Sequence, residues 1–153
     1  MSMRYVKSIL RPDEHIVAVG RMHWIVCVPG ILILSAALVL AFLPLQDALF
    51  WVTRVMAALF ALLGLKELVA AWIDQWTTEI AVTPLRVIQK RGLIRRETGE
   101  MNMQKVESVT VDQSILGRIL NYGTVNVRGT GSGIEGLEHI ANPLALRNAI
   151  VAG

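Results

Sequence analysis

Two long apolar blocks dominate the first half of the chain, and a fine alternation of apolar and polar residues fills the second. The first block, WIVCVPGILILSAALVLAFL at 24–43, has twenty residues and no charge. At about 1.5 Å of rise per residue a helix of that length covers roughly 30 Å, the thickness of bilayer hydrocarbon. The block therefore predicts a transmembrane helix. A cleaved signal peptide is the competing reading, but its apolar region is shorter, roughly 7–15 residues, and here twenty-three residues come first. The second block, 50–73, predicts a second span, although Arg54 and the Lys66-Glu67 pair interrupt it. These charges lie toward the block's ends, where long side chains reach headgroups while their stems stay in lipid. An amphipathic core helix of a soluble domain is the alternative for this block.

The four tryptophans favour the bilayer. Trp24 opens the first block, Trp51 opens the second, and Trp72 and Trp76 close it, as in an interfacial aromatic belt. LPLQD at 43–47 has no Lys or Arg and is too short for a domain, so 44–49 is expected to be a tight outer turn. Arg4, Lys7, Arg11 and Arg21 precede the first block, and nine Lys and Arg follow the second. The positive-inside rule then puts both termini on the cytoplasmic side of the membrane and the turn on the outer side.

After Trp76 the pattern changes to short runs rich in Val, Ile and Thr, separated by Gly, Pro or Asn, which predicts an antiparallel β domain over 74–153. The expected strands are 77–83, 86–90, 93–97, 105–112, 124–128 and a weaker one at 134–140. In TVNVR at 124–128, Val125 and Val127 should face the core, with Thr124, Asn126 and Arg128 toward water. Lys90-Arg91-Gly92 and Tyr122-Gly123 supply turn chemistry. Asn142-Pro143 should open a helix whose Leu146 and Ile150 dock on the sheet. EHIVAVG at 14–20, within the arm 1–23, also alternates; it would either join the sheet or lie along the membrane. The fold class expected is α+β: a two-helix transmembrane hairpin followed by a small, partly open antiparallel barrel or sandwich with one C-terminal helix.

Composition sharpens this picture. At 153 residues, 54% hydrophobic and 18% charged, with a mean hydropathy of +0.51, the chain is more apolar than an ordinary soluble domain. Disorder, a disulfide framework and a large multi-domain enzyme are excluded. Cys27 is the single cysteine and lies in the first apolar block, where a thiol behaves as a small hydrophobe.

Several phrases together resemble a known family. TEIAVTPLRVIQKRGLIRRET at 78–98, EMNMQKVESVTVDQSILGRILNYGTVNVRGTGSG at 100–133 and HIANPLALRNAI at 139–150 are similar to the bacterial pleckstrin-homology-like (PH) domain proteins. The order of arm, two-helix hairpin and one domain looks like that of small membrane-anchored members. Asn121 stands where glycine would be expected, and asparagine also tolerates left-handed backbone geometry. The resemblance implies a non-enzymatic binding or scaffolding module at the membrane and carries over no catalytic motif.

The residues themselves offer little chemistry. His15, His23 and His139 lack metal-ligand spacing, and His23 beside Trp24 suits the inner headgroup boundary. Glu97, Glu100 and Glu107 lie near Arg95, Arg96 and Lys105, which predicts cross-strand ion pairs on a wet face rather than an acid/base pair. GTGSG at 129–133 lacks the spacing of a phosphate loop and reads as a connection between strands. SILGRILN at 114–121 reads as a short connector plugging the domain's own core, with presentation of Ile115, Leu116, Ile119 and Leu120 to a lipid or partner as the alternative. No catalytic residue, metal or cofactor is expected.

The strongest local signal is Arg86, Lys90, Arg91, Arg95 and Arg96, five cations in eleven residues with no acid among them. Lys90, Arg91, Arg95 and Arg96 are the candidate contacts for anionic lipid headgroups or an acidic membrane-protein partner, with a solvated hairpin as the alternative. A tethered domain needs little intrinsic affinity, and each cation near an anionic leaflet contributes about 1 kcal/mol. Nucleic acid is disfavoured: from residue 77 onward nine Lys and Arg face seven Asp and Glu, without interleaved aromatics. Gly30, Ala36 and Ala37 on the first block and Ala57, Ala58 and Ala61 on the second permit close helix contact, within a monomer or in a homo-oligomer. The rival function is an accessory subunit of a membrane transporter or enzyme complex, for which Arg54 is the one ionisable candidate.

Overall fold

The computed structural model describes residues 4–12, 14–44, 46–92, 97–130 and 134–152. The chain divides into two compact units, Met1–His23 with Asp74–Gly153 and, separately, Trp24–Ile73.

The first unit is a curled antiparallel sheet of seven strands in the order β4-β3-β2-β1-β7-β6-β5. Its strands are β1 (Ala18–Met22), β2 (Glu79–Val82), β3 (Arg86–Arg91), β4 (Glu97–Asn102), β5 (Val106–Asp112), β6 (Tyr122–Gly129) and β7 (Ile134–Ala141). Three helices accompany them: α1 (Arg4–Ile9), α4 (Ile115–Leu120) and α5 (Pro143–Ala152). The arm therefore does join the sheet, and at its centre. Ala18 lies opposite Val82 of β2, while Arg21 and Met22 lie opposite Ala141 and Ile140 of β7. Gly20 makes this close packing achievable, because a Cβ there would come within 3.0 Å of the Ile80 side chain. A unit with residues 74–153 alone would lack its central strand.

Burial follows the alternation. Val125 and Val127 are fully buried with Ile80, Val82, Val87, Leu137 and Ile140, and Leu146 and Ile150 of α5 close this core, as expected. The other face of β2 and β3 is covered as well: Ala81 and Ile88 pack with Val6 of α1 and with Ile9, Leu10 and Ile16. That second layer explains why β2 is buried at every position, since a strand covered on both faces loses its polar side.

Two expectations are corrected, and a third is extended. The strand after the basic tip is β4, Glu97–Asn102, paired from Arg91↔Glu97 to Arg86↔Asn102; most of the expected 93–97 strand lies outside the described residues. Its sequence, ETGEMN, hides the strand because only Met101 is buried. Tyr122 and Gly123 belong to β6, and the turn conformation falls one residue earlier, on Asn121 (φ 59°, ψ 47°), which ends α4. The apolar residues of 114–121 do not plug the core: on α4 only Gly117 is buried, and Ile115 and Ile119 are 79% and 73% exposed.

The second unit is a helical hairpin. A 3₁₀ turn at Trp24–Cys27 leads into α2 (Val28–Phe42), which carries Pro29 in its first turn. After a short connection α3 runs Asp47–Thr77 and continues into the first unit. The two are long and apolar enough to cross a membrane over Trp24–Phe42 and Leu49–Thr77. Because α3 begins at Asp47, the turn is shorter than the expected 44–49. Gly30 and Gly64 face the opposite helix, and a Cβ on either would come within 3.0 Å of a backbone nitrogen, of Leu68 and Leu34 respectively. Ala37 and Ala57 are buried here too, and small residues at such a contact let two helix backbones approach closely.

Candidate functional site

The basic hairpin is built on β3, where alternate residues face opposite sides. Arg86, Ile88 and Lys90 therefore share the face that α1 and the arm cover. Lys90 lies 3.7 Å from Glu79, and its ammonium sits 5.4 Å from the Tyr5 ring centroid. The Glu79 carboxylate also accepts the Val6 N–H at 3.1 Å. Lys90 thus helps hold α1 to the sheet. Arg91, one residue on, is exposed at the end of β3. Arg95 and Arg96 lie outside the described residues.

Arg86 is a structural ion. Its guanidinium donates to Glu14 at 3.0 and 2.8 Å, to Glu100 at 2.8 Å and to the Ile9 carbonyl at 2.8 Å. Glu14, whose side chain is fully buried, accepts in addition from the Thr83 hydroxyl at 2.7 Å and the Arg11 N–H at 3.2 Å. Arg86's hydrogen bonds hold the Glu14 carboxyl far below its ordinary range, at about 2, against the opposing effect of burial. This clamp fastens the segment leading into β1 onto the β2–β3 turn. Glu100 does form the cross-strand pair expected of it, but with Arg86. A polar cleft of about 340 Å³ opens beside this network, between Arg11, Arg86, Glu100 and Lys105.

At the point where the chain leaves the sheet for the apolar hairpin, three aromatic rings stack. Tyr122 lies 5.2 Å from His23 and 6.2 Å from His139, centroid to centroid. The His23 N–H donates to the His139 carbonyl at 2.6 Å, and His139 adopts a left-handed φ of 55° that turns its backbone out of the regular ladder. The His23 ring donates to the Leu120 backbone at the end of α4, and burial, with a smaller effect from His139, lowers its pKa. Gln75 closes the junction by donating to the His23 carbonyl at 3.3 Å. Both connections to the hairpin are therefore pinned at one place on the sheet unit, beside α4.

Among the described residues no group of three or more His, Cys, Asp or Glu could hold a metal ion. Arg54 sits with its guanidinium 4.7 Å from the Phe50 ring centroid, one turn back on α3. Two residues that organise this surface, Glu14 and Tyr122, were not among the expected site residues. Glu14 pairs with a cation 72 positions away, a distance at which sequence pattern gives no signal.

A family model described as a bacterial PH domain matches residues 15–150. The match begins just before β1 and ends within α5, so it takes in the sheet unit together with the helical hairpin inserted between β1 and β2. No curated protein and no solved structure matches the chain.

Proposed function

The chain belongs to the bacterial PH domain family, and from that premise we propose that it is a non-enzymatic binding or scaffolding module held at the cytoplasmic face of a membrane by its own helical hairpin. The observation that carries this reading is the way the sheet is threaded. Its central strand β1 precedes the two apolar helices and its partner β2 follows them. A domain whose central strand and that strand's neighbour flank a helical hairpin is tethered at two adjacent points of its sheet. A module so placed works at high effective concentration and needs only weak contacts to hold a headgroup or a neighbouring membrane protein.

The contact we assign to it is electrostatic and lies at the β3–β4 tip. Lys90 is engaged by Glu79, so the burden falls on Arg91, with Arg95 and Arg96 four and five residues further on. Hydrogen exchange of the full chain in nanodiscs tests this. Amides of the β3–β4 tip should be protected in anionic relative to zwitterionic lipid. Protection should fall with added salt and vanish in the Arg91→Gln/Arg95→Gln/Arg96→Gln variant. Equal exchange in both lipids would remove the headgroup contact and leave a protein partner as the ligand to seek.

A further inference from the structure

We propose that α4 is a membrane-inserted foot of the sheet unit, its aliphatic stripe seated among the headgroups and upper acyl chains of the same bilayer that the hairpin crosses; the inference rests on the membrane reading above. Ile115, Leu116, Ile119 and Leu120 are 79%, 63%, 73% and 37% exposed. At about 100° per residue they occupy one arc of roughly 140° on the helix. An apolar arc turned wholly outward on so short a helix calls for an apolar partner.

The orientation is locked. Gly117 forms the inward face, where a Cβ would lie 2.7 Å from the Tyr122 carbonyl oxygen. Ser114 caps the helix by accepting from the Gly117 N–H at 3.0 Å. The Gln113 side chain donates to the Gly117 and Tyr122 carbonyls at 3.2 and 3.0 Å. Any rotation that buried the aliphatic residues would break these bonds and drive a side chain into the space that only glycine fits.

Position identifies the partner as lipid. Leu120, the last residue of α4, accepts a hydrogen bond from the His23 ring, and the next residue, Trp24, begins the first apolar span. A six-residue helix is about 9 Å long, so the whole stripe lies close to the place where the chain passes from sheet to span. Arg118 is exposed on the flank of the stripe, suited to reach phosphate while its neighbours enter the acyl boundary.

Single cysteines at positions 115, 116 and 119 (Ile115→Cys, Leu116→Cys, Ile119→Cys) of the full chain carrying Cys27→Ser, each bearing an environment-sensitive fluorophore, test the proposal in nanodiscs. Gln104→Cys, exposed just before the opposite end of β5, is the reference and reports any affinity of the dye itself for lipid. Labels on α4 should emit at shorter wavelength than the reference and be quenched by lipids bearing a nitroxide near the headgroup. In parallel, quenching of the native tryptophans by brominated lipid reports whether the hairpin is in the bilayer. Quenched tryptophans with α4 labels that behave like the reference would overturn this proposal alone. Unquenched tryptophans would overturn the membrane reading on which it rests. A wavelength shift on α4 without nitroxide quenching would show that protein covers the stripe, and would likewise overturn the proposal.

Discussion

Replacing Glu14 by glutamine isolates the clamp that fastens the β1 segment to the sheet. The carboxylate accepts four hydrogen bonds, one from Arg11, one from Thr83 and two from Arg86. Glutamine is nearly isosteric, but its NH₂ must face donors on one side, so about half of these bonds are replaced by donor–donor opposition. Stripping one partner from a buried ion pair costs about 3–5 kcal/mol. Arg86 keeps its bonds to Glu100 and the Ile9 carbonyl, which brings the expected loss down to about 2–3 kcal/mol. The titration of Glu14 gives an independent bound. A carboxyl lowered from 4.5 to about 2 corresponds to at most about 3 kcal/mol, less once screening at the Glu100 side is allowed for. Because the folded pKa is the lower one, this stabilisation is complete above about pH 4.5 and is lost as pH falls toward 2. The assay is hydrogen exchange of β1, β2 and β3 in the full chain. Glu14→Gln should speed exchange there by about 30–150-fold at neutral pH, and the gap should narrow on acidification toward pH 3. Exchange indistinguishable from the parent at neutral pH, or a gap insensitive to acid, would refute the reasoning.

Two further substitutions test close packing. Gly117→Ala places a methyl 2.7 Å from the Tyr122 carbonyl and should cost about 1–3 kcal/mol, read as faster amide exchange in α4 and the start of β6; a neutral result would show that α4 is free to shift. Gly64→Ile puts a branched side chain against the backbone and side chain of Leu34 and should force α2 and α3 apart, lowering the thermal midpoint of the hairpin, followed by tryptophan fluorescence in detergent; an unchanged midpoint would show that the glycine contact is not what holds the two helices.

The strands that were legible in sequence are those with one buried face. TVNVR announces itself because Val125 and Val127 alternate with polar residues across a single solvent boundary. ETGEMN does not, since an edge strand anchored by Met101 alone needs no apolar pattern. AVGRM at the centre of the sheet was ambiguous for a different reason: glycine and arginine weaken the pattern, and its partners are β2, across the whole hairpin, and β7, near the other end of the chain. Local sequence cannot show either pairing. The basic run was legible as charge, but the partners of its members were not, because alternation on β3 turns Arg86 and Lys90 inward to Glu14 and Glu79 and leaves Arg91 exposed. In α4 the misleading signal was hydrophobicity itself. Four aliphatic residues read as core, whereas the face that packs is set by one glycine.

The central claim, a PH sheet unit tethered through a hairpin between its central strand and that strand's neighbour, is tested most directly by cysteine accessibility in intact cells. With Cys27→Ser as background, Gln46→Cys lies in the short turn between α2 and α3, and Gln104→Cys lies in the sheet unit. A membrane-impermeant maleimide added outside the inner membrane should label position 46 at once and position 104 only after permeabilisation. Labelling of both from the same side, or release of the unlabelled chain by alkaline carbonate, would contradict the account.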